Sequence, residues 1–99
     1  MNKAEAKQIL AQELKNLQAK SFEELQKLIG SPEVVERDSA SGTAYQIEMQ
    51  AFWDNPREGY GDLRVIASID DGRFLSALSP LSSDFIIDPD GNFKGEAIP

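Results

Sequence analysis

Ninety-nine residues, 40% of them apolar and 27% charged, are enough for one domain with a modest core and unlike a disordered chain. With no cysteine there is no disulfide or thiolate metal site, and with no histidine there is no Ser-His or Cys-His catalytic pair. The net charge of −7 lies beyond residue 30, where thirteen acidic residues outnumber five basic ones, and this argues against nucleic acid as a partner.

The first eight residues lack the apolar centre of a signal peptide, and no apolar run exceeds three residues. A cytoplasmic protein without membrane contact is the expectation. Residues 3–19 are rich in Ala, Glu, Lys, Gln and Leu, which favour helix. Leu10, Leu14 and Leu17 form an apolar stripe, with Ala6 and Ile9 beside it. Ser21-Phe22-Glu23-Glu24 has the spacing of a capping box, and Gly30 followed by Ser31-Pro32 supplies a stop. A second helix over 22–29 follows. A single helix over 3–29, roughly 40 Å long, would put Ser21 in the apolar seam, so the break is the preferred reading.

Glu33–Asp38 reads as a first strand, and Ser39–Gly42 as the turn into a second over 43–54. There Tyr45, Ile47, Met49, Ala51 and Trp53 alternate with Gln46, Glu48, Gln50 and Phe52, the signature of a half-buried strand. A longer loop through Asn55-Pro56 and Gly59–Gly61 leads to a third strand over 62–70, with Leu63, Val65, Ala67 and Ile69 inward. Asp71-Gly72 predicts a type I′ hairpin to a fourth strand over 73–79. That register sets Ile69 opposite Phe74, Ala67 opposite Ser76 and Val65 opposite Leu78, while Trp53 opposite Leu63 aligns the second and third strands. Residues 85–87 are compatible with a helical turn or an extended segment. Asp88-Pro89-Asp90-Gly91 is a turn, and a short edge strand around Phe93 is one continuation.

The predicted fold class is α+β: two N-terminal helices on one face of a four-stranded antiparallel meander, with a short irregular C-terminal segment. No phosphate-binding or dinucleotide-binding glycine motif is present, and the serines have no accompanying base. Counted from Asp88, glycine falls at position 4 and glutamate at position 9, which is not the spacing of a calcium loop. The expectation is therefore a non-enzyme without cofactor or metal. By parity Phe52, Ile66 and Leu75 lie on the outer sheet face beside Arg64, and Arg57 and Tyr60 occupy the adjoining loop. Aromatic and arginine residues of this kind are enriched in protein interfaces. These six residues form the predicted partner-binding surface, for another protein or a second copy, with an edge strand at 33–37 as a further contact. The alternative function is small-molecule binding in a pocket between helices and sheet, near Met49, Ser76 and Trp53.

Overall fold

A computed structural model describes residues 1–72 and 81–94. The chain runs α1 (Lys3–Gln18), α2 (Phe22–Gln26), β1 (Glu33–Asp38), β2 (Ala44–Trp53), β3 (Leu63–Asp70), β4 (Leu81–Ile87) and β5 (Phe93–Lys94). The fold class is α+β as expected, with five strands among the described residues rather than four. They form one antiparallel sheet in chain order, β1-β2-β3-β4-β5.

The helix break falls where the capping box predicts it. Ser21 Oγ accepts from the Glu24 amide at 3.1 Å, and Glu24 Oε1 accepts from the Ser21 amide at 3.2 Å. This reciprocal pair starts α2 and leaves α1 to end at Gln18, capped by Ala19. The second helix is shorter than expected. After Gln26 the bonds tighten to three-residue spacing, Leu28 to Leu25 and Ile29 to Gln26, and Gly30 takes φ +71°. Tightening this last turn brings Ile29 to the free end of β2, where it bridges Ala51.

Along α1, Ala6, Leu10, Leu14 and Leu17 are buried as the stripe requires. They meet Tyr45, Ile47, Met49 and Ala51 of β2 and Leu63, Val65, Ala67 and Ile69 of β3, all buried. The β2–β3 register agrees with the expectation: Ile47 opposes Ile69, Ala51 opposes Val65 and Trp53 opposes Leu63. Burying sixteen apolar side chains among the described residues supplies the main stabilisation, at about 1.5–3 kcal/mol for each large one.

The partner of β3 on its other edge departs from the expectation. Leu81–Ile87 occupies that edge, with Leu81 opposite Ile69, Ser83 opposite Ala67, Phe85 opposite Val65 and Ile87 opposite Leu63. The strand expected over 73–79 lies outside the described residues, but the β3 positions assigned to it are already paired. The turn differs as well. A type I′ hairpin needs positive φ at Asp71, and glycine alone adopts positive φ among the described residues. Instead Asp70 Oδ1 accepts from the Gly72 amide at 2.7 Å, an Asx arrangement that does not require an immediate return.

Glu5 ties the start of α1 to the hairpin between β1 and β2. Its Oε1 accepts from Ser41 Oγ at 2.7 Å and from the hydroxyl of buried Tyr45 at 2.9 Å. These bonds, Ser41 first and Tyr45 second, hold the carboxyl below its ordinary value of 4.5. A carboxyl with a depressed folded pKa stabilises fully above 4.5 and loses that contribution as pH falls through the folded value. Glu24, lowered by its capping bonds to Ser21, acts in the same direction. Urea unfolding followed from neutral pH to about pH 3 should therefore show a shallower acid decline in Glu5→Gln than in the parent. Superimposable declines would remove Glu5 from the account.

Candidate functional site

Helices cover one face of the sheet, and strand parity sends the remaining side chains to the other. Across this outer face, Phe52, Arg64, Ile86 and Lys94 form one cross-strand row. Gln50, Ile66 and Asp84 form the next, and Glu48, Ser68 and Ser82 the one after. Phe52 is 48% exposed, and Ile66 and Ile86 are half-buried. Phe52 and Ile86 stand directly opposite Arg64 on its two neighbouring strands, and Ile66 is the diagonal neighbour of both, about 7–8 Å away, so these three apolar residues lie on three sides of Arg64.

Arg64 is fixed from both sides. Nη1 donates to Asp84 on β4, and Nη2 donates to Asp54 at 3.2 Å. The Asp84 bond, reinforced by the charges of Asp84 and Asp54, holds the guanidinium even more firmly protonated than usual. Arg64 makes no cation–π contact with the neighbouring Phe52 among the described residues, where the ring contact is Phe85 with Phe93. Two carboxylates compete for the guanidinium and win, since a charge-assisted bond is stronger than a cation–π contact at an exposed site.

The electrostatic character of the face is acidic. Its outward strand positions carry Glu36, Glu48, Asp70 and Asp84, with Asp54 held beside them by Arg64. Arg64 and Lys94 are the described cations there, and Lys94 Nζ is itself paired with Asp62 at 3.2 Å. An apolar centre is thus set in an acidic rim.

Of the six residues expected from the sequence, Phe52, Arg64 and Ile66 are brought together. Arg57 and Tyr60 are exposed, Tyr60 at 65%, in the loop that leaves the sheet at Trp53 and re-enters at Leu63. That loop is closed by the Asp54 amide donating to Asp62 O at 2.8 Å, two residues beyond the Phe52–Arg64 row. Leu75 lies outside the described residues, and the β4 position beside Arg64 belongs to Ile86. Ile86 and the Asp54/Asp84 clamp were missed because residues 85–87 had no assigned strand. Parity alone would have found Ile86 once that segment was extended.

The edge strand β1 is exposed along almost its whole length, including Val34 at 60%. Glu33, Glu36, Arg37 and Asp38 within six residues make it a charged edge, which discourages indiscriminate strand pairing. The Asp88 loop is locally satisfied: its carboxylate accepts from the amides of Asp90 at 3.0 Å and Asn92 at 2.9 Å. No helix among the described residues is long and apolar enough to cross a membrane.

On the opposite side, α1 packs over β3 and β4, leaving the helix-facing side of β1 less covered. A groove of about 400 Å³ opens there between α1, α2 and β1. Met49 lines it, as the alternative expectation required; Trp53 does not, and Ser76 lies outside the described residues. One wall carries Glu13, buried in α1 and ion-paired to Arg37 of β1. No protein-family model, curated protein or solved structure matches the chain significantly.

Proposed function

We propose that this protein is a small, non-catalytic intracellular interaction domain that docks its outer sheet face onto another protein. The observation that carries this reading is Phe52, nearly half exposed, grouped with Ile66 and Ile86 around an arginine immobilised by two aspartates. A rigid apolar centre with a charged rim is the anatomy of a protein contact. The rim selects the partner's chemistry: an apolar patch bordered by lysines and arginines complements an acidic face. Tyr60 and Arg57, exposed in the loop between β2 and β3, extend the contact.

Phe52→Glu tests the reading. The variant should retain the parent's unfolding free energy within about 0.5 kcal/mol, as surface changes usually do. It should no longer co-purify the stoichiometric partner that the parent brings down from its native cell. Recovery of the same partner in the same amount by both proteins would refute this role for the outer face.

A further inference from the structure

We infer that the groove between α1, α2 and β1 is a binding site for a small amphipathic carboxylate. Its volume of about 400 Å³ lies within the range of roughly 300–1,000 Å³ that small-molecule sites occupy. Leu17, Leu28, Val35 and Met49 provide an apolar floor for a hydrocarbon or aromatic body. The site is distinct from the outer sheet face and stands or falls independently of the reading above.

The charge of the ligand follows from which polar groups are already engaged. Glu13 is occupied by Arg37 Nε, and Glu24 by the amide and hydroxyl of Ser21 in the capping box. The Asn16 carbonyl accepts from Gln12 Nε2 at 3.0 Å, which leaves its amide hydrogens. The side chains of Lys20 and Lys27 line the groove and make no hydrogen bond or ion pair among the described residues, although the charge of both helps to keep the Glu24 carboxyl low. Arg37 is 47% exposed and uses Nε and Nη1 internally, so Nη2 remains available. Donors therefore exceed acceptors, and the ligand must bring the acceptor. Glu33 is the one lining carboxylate without a partner among the described residues. With three cations and three carboxylates around it, the groove favours a single negative charge over a dianion.

Octanoate titrated into the full chain, followed by amide NMR shifts, tests the assignment, with octanol and octylammonium as matched probes. Octanoate should shift the amides of Leu17, Leu28 and Val35, and octanol should bind about tenfold more weakly for want of charged hydrogen bonds. The double variant Lys20→Gln/Lys27→Gln, altered at two exposed positions, should fold normally and weaken octanoate about tenfold. Glu33→Gln should tighten it. The inference is overturned if octanoate shifts nothing or shifts residues elsewhere. It is equally overturned if the three probes bind alike, or if the double variant binds octanoate as the parent does.

Discussion

Replacing Phe85 by alanine is expected to cost about 3–5 kcal/mol, the range for truncating a buried aromatic. Phe85 is 2% exposed and sits opposite Val65 in the core face of β4. Its ring meets Phe93 edge-on, with centroids 5.5 Å apart at 87°, so it also holds β5. That geometry adds about 0.5–1.5 kcal/mol beyond burial alone. Urea unfolding of Phe85→Ala beside Ile86→Ala provides the check. Ile86, one residue along and facing outward, should cost less than half as much if β4 has the described parity. Equal losses, or a Phe85→Ala loss below about 1 kcal/mol, would mean that this segment does not complete the core.

Arg37→Met should be the most damaging polar substitution, and the loss should be asymmetric between the two partners of the ion pair. The Glu13 side chain is only 6% exposed, whereas Arg37 is 47% exposed. Removing the arginine strands a buried carboxylate, at about 1–3 kcal/mol for an unsatisfied buried group and more for a charged one. Methionine keeps most of the covering hydrocarbon, so water does not easily take the arginine's place. Glu13→Gln, by contrast, leaves a half-exposed guanidinium that water solvates, and should cost less than about 1 kcal/mol. Combining the two should recover part of the Arg37→Met loss, because the stranded charge is gone. A double-mutant cycle by urea unfolding reads this directly. Equal single-variant losses that simply add would show that the pair is not coupled.

The parts of the fold that were legible in the sequence are those where local chemistry and long-range pattern coincide. Ser21 and Glu24 form a capping box whatever packs above them, so the helix break is locally determined. The alternations from Tyr45 and from Leu63 each have an unambiguous apolar face, and a slip of one residue would expose all of it. The edge of β3 beyond Asp70 was not legible, because residues 73–79 and 81–87 both present alternating apolar positions. Asp71-Gly72 favoured the nearer one only if Asp71 took positive φ, which it does not. The same uncertainty propagated to the candidate surface: Phe52, Arg64 and Ile66 follow from β2 and β3, while Ile86 and Asp84 needed the identity of β4. Glu13 was invisible for another reason. A glutamate in a Lys- and Glu-rich helix reads as solvated, and only the tertiary approach of Arg37 makes its burial tolerable.

The central claim, that the outer sheet face around Phe52 is where a partner binds, is tested most directly by a photoreactive benzoyl-phenylalanine at position 52 in native cells. Irradiation should give one discrete protein adduct from position 52, and none from position 15, an exposed site on the covering helix. The adduct should disappear when Ile66→Lys is introduced in the same chain. Adducts that form equally from both positions, or from position 15 alone, would contradict the assignment of this face.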